Sequence, residues 1–267
     1  MKNYRRVLTI AGSDSGGGAG IQADLKTFSA LGCYGMSVIT ALTAQNTSTV
    51  TGIFPVPGEF IAEQIDAVMT DMGADAVKIG MLHSPEVIAV VAERLRRHKV
   101  SKVVVDPVMV SKSGSRLLRE DAVEALKTHL LPLAAIITPN LPEAAVLLGR
   151  PVEKESDMEA ACRDLAKFGA AVLLKGGHLQ GDSCDLLYAD GGKTLVRLES
   201  ERIVTRNTHG TGCTLSSAIA AGLANGLETA AAVKAAKDYI NAAIRAGAQY
   251  ALGKGHGPVH HYYAFWE

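Results

Sequence analysis

Short, β-branched apolar runs alternate with longer stretches of helical period along almost the whole chain. That rhythm is the pattern of parallel strands joined by crossover helices, and it points to a layered α/β sheet. Strands are predicted at Val7–Ala11, Ser37–Ala41, Ala76–Ile79, Val103–Asp106, Ile136–Thr138 and Ala171–Lys175. Helices are predicted at Ile21–Leu31, Glu59–Asp71, Pro85–Arg97, Asp121–Leu130, Pro142–Leu148 and Asp157–Phe168. Near-continuous apolar runs such as Lys102-Val-Val-Val suit strands buried on both faces. Asp185–Ala189 and Thr194–Glu199, flanking Asp190-Gly-Gly, read as an antiparallel hairpin at one edge. Two Ala-rich helices, Cys213–Asn225 and Glu228–Tyr250, close the chain. The sequence contains no obvious linker, low-complexity tract or repeat, so residues 1–267 are expected to form one doubly wound domain.

In such a sheet, ligands bind beyond the carboxyl ends of the strands. The polar and Gly-rich clusters of this sequence fall at those ends. Gly12-Ser-Asp-Ser-Gly-Gly-Gly-Ala-Gly20 follows the first strand and Thr43-Ala-Gln-Asn46 the second. Later come Gly80-Met-Leu, Asp106-Pro-Val-Met, Thr138-Pro-Asn-Leu-Pro-Glu143 and Lys175-Gly-Gly-His178. Their gathering on one rim is the strongest physical sign of a site.

Composition narrows the partner. Lys plus Arg number 27 and Asp plus Glu number 27, so the chain lacks the basic footprint that nucleic-acid binding requires. A small molecule in a pocket is the expected ligand. The four cysteines, Cys33, Cys162, Cys184 and Cys213, include no Cys-x-x-Cys pair and suggest neither a local zinc site nor a disulfide framework. The first apolar run is too short for a signal peptide, and no stretch approaches the roughly 18 apolar residues of a membrane span. A reduced, cytoplasmic protein without membrane contact is expected.

Gly210-Thr-Gly-Cys-Thr-Leu-Ser216 directly precedes an Ala-rich helix. Free amides at a helix start bind anions, and glycines let a ligand come close, so this turn could hold a phosphoryl group in transit. Gly16-Gly-Gly-Ala-Gly20 matches neither a Walker loop nor a dinucleotide fingerprint, and reads equally as a tight turn or as a ligand contact. Asp24 could be a helix-end charge or could bind a polar ring substituent. Asp106 and Glu143, at or after strand ends, have the chemistry to hold Mg2+ beside nucleotide phosphates. Glu143 could equally serve the helix dipole, and Lys175 could pair with phosphate or with a neighbouring acid. Cys33, Cys162 and Cys184 read as packing residues, and Lys237 as a solvated surface charge. His256, His260 and His261 read as tail packing.

Taken in order, these motifs resemble the hydroxymethylpyrimidine and phosphomethylpyrimidine kinases of thiamin biosynthesis, a branch of the ribokinase superfamily. The resemblance runs from Ala11-Gly-Ser-Asp-Ser-Gly-Gly-Gly-Ala-Gly-Ile-Gln-Ala-Asp24 through Ala41-Leu-Thr-Ala-Gln-Asn46 and Lys78-Ile-Gly-Met-Leu82. It continues through Asp106-Pro-Val-Met109, Thr138-Pro-Asn-Leu-Pro-Glu143, Leu174-Lys-Gly-Gly-His178 and Thr208-His-Gly-Thr-Gly-Cys213. It implies a three-layer α/β/α sandwich with a mostly parallel central sheet and a small antiparallel edge. It also implies ATP and Mg2+ as cosubstrates, and a homodimer. Gln45 would hydrogen-bond the aminopyrimidine, with Gly12, Ala19, Asp24, Met81 and Val108 shaping the ring pocket. Asn140, Glu143, Lys175 and the amides of Gly210, Thr211, Gly212 and Cys213 would face ATP, with Asp106 and Glu143 at the metal. Val110-Ser-Lys-Ser-Gly-Ser115 would be a mobile flap.

Sugar kinases of that superfamily carry an aspartate where Cys213 stands, so Cys213 is the expected catalytic residue, as a base or as part of the anion hole. A helix start can lower a thiol pKa from about 8.5 into the range of a useful base. The expected reaction is phosphorylation of 4-amino-5-hydroxymethyl-2-methylpyrimidine by ATP, then of its monophosphate to the diphosphate. The alternatives are a pyridoxal or pyridoxine kinase of the same lineage, and a pyrimidine-binding protein without catalysis.

Overall fold

The computed structural model describes residues 2–109, 121–177 and 183–266. In chain order its elements are β1 (Arg6–Ala11), α1 (Gly20–Ala30), β2 (Tyr34–Ile39), β3 (Ala41–Gln45), β4 (Val50–Pro55) and α2 (Gly58–Asp71). They continue with β5 (Ala76–Ile79), α3 (Pro85–Arg97), β6 (Val103–Val105), α4 (Ala122–Ala125), β7 (Ile136–Ile137), α5 (Leu141–Leu148) and α6 (Glu155–Ala166). Last come β8 (Ala171–Leu174), β9 (Ser183–Ala189), β10 (Thr194–Ser200), α7 (Thr211–Ala224) and α8 (Thr229–Gly247).

Eight strands form one sheet in the order β10-β9-β8-β7-β6-β5-β1-β2. From β2 to β8 every neighbouring pair is parallel, and β9 and β10 add the antiparallel edge. Successive side chains leave a strand on opposite faces, so each strand feeds two cores. Leu8, Val77, Val103 and Val105 pack on the face covered by α2, α3, α5 and α6. Val7, Ala76, Val104 and Ile136 pack against the face covered by α7 and α8. The result is the expected three-layer α/β/α sandwich.

Local chemistry sets the helix ends. Ser84 Oγ accepts the Val87 amide, Pro85 opens α3, and Arg94, Arg96 and Arg97 sit at its carboxyl end, where positive charge meets the helix dipole. In α5 the Asn140 side chain accepts the Glu143 amide and Glu143 returns the bond to the Asn140 amide, while Gly149 closes the helix at φ 66°. α4 runs on as a π turn at Leu126–Leu130. No helix among the described residues is long and apolar enough to cross a membrane.

One stretch differs from the sequence expectation. The second strand begins at Tyr34 and ends at Ile39, and Ala41 opens a separate two-stranded hairpin, β3 with β4. Thr43, Ala44 and Gln45, expected in a loop, are therefore strand residues, with an irregularity in the pairing between Ala44 and Gln45. The hairpin brings Gln45 back over the carboxyl edge of the sheet, against the loop after β1.

Candidate active site

The Gly-rich loop after β1 wraps around its own aspartate. Asp14 Oδ1 accepts the Gly16 amide at 2.8 Å, and Oδ2 accepts the amides of Gly18 and Ala19 at 3.0 and 2.8 Å. Those amides are spent on Asp14, so the loop is a wired turn rather than a phosphate cradle. Its glycines serve close approach: a Cβ on Gly18 would strike the His209 ring, and one on Gly210 would strike the Gly18 carbonyl. His209 Nε2 lies 2.8 Å from Asp14 Oδ2 and 3.4 Å from Gln45 Nε2. Sequence reading singled out neither Asp14 nor His209, although both stand inside motifs it quoted.

Behind this loop lies a polar island inside the sandwich. Lys78 on β5 and Asp24 on α1 are fully buried, and Lys78 Nζ donates to both Asp24 oxygens at 2.9 Å. Thr9 and Ser217 hydroxyls donate to the same carboxylate at 2.6 and 2.7 Å. Burial works to neutralise Lys78, but the charge and hydrogen bond of Asp24, with the Asp106 charge beyond, together outweigh it and hold the ammonium above its usual range. Asp24, expected at the ring, does not line the cavity: its oxygens are taken up by Thr9, Lys78 and Ser217. Lys78 does reach the cavity wall.

A second cluster sits where β6, β7 and β8 end. Lys175 Nζ donates to Asp106 Oδ1 at 2.9 Å and lies 3.9 Å from Glu143 Oε2. Thr138 Oγ1 donates to Asp106 Oδ1 at 3.1 Å. Burial works to raise the Asp106 carboxyl, but Lys175 and Lys78 hold it below the ordinary carboxylate range. Burial pushes Glu143 up to about 7 against the pull of Lys175, with Asp106 adding to the rise. The helix-end reading of Glu143 is met, since one oxygen caps α5, and the residue also lines the cavity.

The first turn of α7 closes the site. Gly210 takes the left-handed conformation at φ 77°, and the first amides of a helix lack a carbonyl partner within it. A Cβ on Gly212 would stand 3.5 Å from both Asp106 Oδ2 and Lys175 Nζ, so the turn lies directly against that pair. Cys213 does not have the lowered pKa expected of a helix start. Burial pushes its thiol up to about 11, with Lys78 opposing, so at neutral pH it is a thiol.

One cavity of about 800 Å³ joins these parts. Gly12, Ala19, Gln45, Met81 and Val108 line it together with Asn140, Glu143, Lys175 and Gly210–Cys213. Lys237, read from sequence as a solvated charge, is buried and donates to Asp185 Oδ2 at 2.5 Å, also at this wall. Cys33, Cys162 and Cys184 are buried, as expected of packing residues. His261 is buried against Thr214 at 3.0 Å, whereas His256 stays exposed. The expected flap at 110–115 and His178 lie outside the described residues. No group of three His, Cys, Asp or Glu side chains gathers to hold a metal among the described residues. Asp106 and Glu143, on either side of Lys175, fit a Mg2+ that takes its remaining ligands from phosphate and water.

The sheet order, with β1 and β2 beyond β5 and a glycine-lined helix start over the carboxyl edge, defines a ribokinase-like kinase. Within that class the chain belongs to the phosphomethylpyrimidine kinase family, whose model matches residues 14–260. It is 57% identical over 262 residues to the hydroxymethylpyrimidine/phosphomethylpyrimidine kinase of Rhizobium meliloti, covering 97% of this chain and 98% of that one. Among solved structures it resembles the phosphomethylpyrimidine kinase of Clostridium difficile, at 49% identity and a TM-score of 0.80 over 90% of this chain and 99% of that one. It also resembles the ADP complex of Bacillus subtilis pyridoxal kinase, at 40% identity and a TM-score of 0.90 over 98% of this chain and 99% of that one.

Proposed function

We propose that this enzyme transfers the γ-phosphoryl group of ATP to the hydroxymethyl oxygen of 4-amino-5-hydroxymethyl-2-methylpyrimidine, then phosphorylates the monophosphate, in thiamin biosynthesis. The observation that carries the reading is the continuity of one cavity from Gln45 to the first turn of α7. A side-chain amide has both a donor and an acceptor, matching a ring nitrogen beside an amino group.

In this reading the alcohol oxygen attacks the γ-phosphorus as the bond to the ADP oxygen breaks. Catalysis of such a transfer is mostly positioning and charge stabilisation. The amides of Gly210–Cys213 receive the charge on the transferring group, and Lys175 sits beside them. A neutral Cys213 thiol offers a weak S–H donor to the same oxygens. Asn140 and Glu143 face the nucleotide, with Asp106 and Glu143 as the carboxylates toward Mg2+. The ion would neutralise phosphate charge and hold the phosphates in line. The enzyme is taken as a cytoplasmic homodimer in which residues 1–267 form one domain.

The likeness to pyridoxal kinase favours a second reading, in which pyridoxal or pyridoxine is the acceptor. A pyrimidine-binding protein without turnover is disfavoured by the Lys175–Asp106 pair beside the helix start. Steady-state kinetics with ATP, Mg2+ and each alcohol decide the matter. A higher kcat/KM is expected for the aminopyrimidine, and Gln45→Leu should lower it about 5- to 150-fold, the cost of an unpaired buried polar group. A parent that preferred pyridoxal would promote the second reading.

A further inference from the structure

The contacts around Gln45 contain a hydrogen-bond conflict whose resolution bears on how the ring is read. The backbone of Gln45 is clamped to the Gly-rich loop, because Ser15 Oγ donates to its carbonyl at 2.8 Å and accepts its amide at 2.9 Å. Its side-chain nitrogen lies 3.4 Å from His209 Nε2, and its side-chain oxygen 3.2 Å from Thr43 Oγ1.

Asp14 Oδ2 already accepts two backbone amides, so it faces His209 Nε2 as an acceptor. Burial works against the charge, but His209 and the amides of Ala19 and Gly16 hold this carboxyl below the ordinary range. His209 Nε2 must therefore carry a hydrogen, whether the ring is neutral or charged. Gln45 Nε2 would then set donor against donor. At the other end, the single hydrogen of the Thr43 hydroxyl is committed to the Ser13 carbonyl at 2.7 Å, leaving none for Gln45 Oε1. One half-turn of the amide replaces the donor–donor contact with Oε1 as the longer, second acceptor of the N–H that His209 gives to Asp14, and turns Nε2 toward a Thr43 oxygen whose lone pairs are free.

We infer that Asp14 and His209 lock the Gln45 amide with Oε1 toward His209 and Nε2 toward Thr43, and so set the polarity with which a ring is read. His209 is a positioning residue that acts through Gln45. Resting on the aminopyrimidine reading above, the lock leaves a lone pair of Oε1 for the exocyclic amino group. It also leaves one N–H of Nε2 for the adjacent ring nitrogen. The amino group then lies on the His209 side and the ring nitrogen on the Thr43 side. A pyridine with a hydroxyl at that place and a ring C–H beside it meets the two ends less fully, since one oxygen must both donate to Oε1 and accept from Nε2.

Two measurements on the full chain test this. In the ligand-free 15N-labelled protein, with the Gln45 side-chain signals identified by their loss in Gln45→Leu, the NH2 protons should give stronger cross-peaks to the Thr43 methyl than to the His209 ring. The reverse, or a neutral His209 unprotonated at Nε2, overturns the lock. In kinetics, His209→Leu should raise KM for the aminopyrimidine alcohol about 5- to 150-fold and lower kcat less. KM for the analogue lacking the amino group should change little, and His209→Gln, which keeps an N–H, should recover most of the loss. An equal rise for both alcohols overturns the positioning role. A parent inactive on the aminopyrimidine overturns the substrate reading instead, while the cross-peaks still decide the lock.

Discussion

Lys175 and Asp106 are 69 residues apart in sequence, yet their side chains meet at 2.9 Å where β8 and β6 end. Asp106 is 2% exposed, so removing its partner strands a buried charge. Lys175→Met should destabilise the protein by about 3–5 kcal/mol and abolish turnover. Lys175→Met with Asp106→Asn should regain much of the stability and none of the activity. Urea unfolding and ATP turnover on the three proteins check this, and an equally unstable double variant would break the pairing argument.

Chelation of divalent metal should abolish transfer, since phosphoryl chemistry relies on charge neutralisation. Glu143→Gln should slow turnover and raise the Mg2+ needed for half-maximal rate by about 10-fold or more. Full activity in chelator would rule out the mechanism.

Cys213 separates two roles by substitution. As a donor in the anion hole, its loss in Cys213→Ala should cost about 100- to 1,000-fold in kcat. Cys213→Ser, with a stronger O–H donor, should keep activity well above that of the alanine variant. A serine variant as slow as the alanine one would mean that the thiolate acts as a base. Alkylation of Cys213 by iodoacetamide should be slow at neutral pH and accelerate as pH rises toward about 11.

Stability should fall with acid through His261. Burial against Thr214 lowers its pKa to about 3, below the unfolded value of about 6.5, so the unfolded chain binds the extra proton between those limits. Its contribution is present above about pH 6.5 and is lost as pH falls toward 3, with a slope of at most about 1.4 kcal/mol per pH unit. Unfolding free energies from pH 7.5 to about 4.5 should decline less steeply in His261→Gln. Parallel curves would show that His261 titrates freely.

The periodic elements were legible because burial enforces their pattern: Ala76–Ile79 and Pro85–Arg97 have the bounds expected from the sequence. The β3–β4 hairpin was not, since Leu42 and Phe54 are exposed and pairing, rather than a buried face, holds it. The rim motifs pointed to the cavity, but single residues within them could not be placed. Asp24 is turned away from the cavity because α1 presents it to Lys78, which the sequence shows only as a residue inside the strand Ala76–Ile79. Lys237 carries no sequence mark of its partner Asp185, 52 residues earlier. Cys213 shows the opposing demands of a helix start and burial, and only the fold reveals that burial prevails.

The contact between Asp14 and His209 spans 195 residues, and that between Asp24 and Ser217 spans 193. The Gln45 side of the cavity, through His209, and its phosphoryl end, through Gly210–Cys213, thus both depend on the segment from His209 into α7, the penultimate helix. During synthesis, a growing chain can lay down β1 to β8 and still possess no competent site. Recognition should switch on late, when α7 docks beneath the sheet together with α8, whose Lys237 and Ile240 line the same cavity.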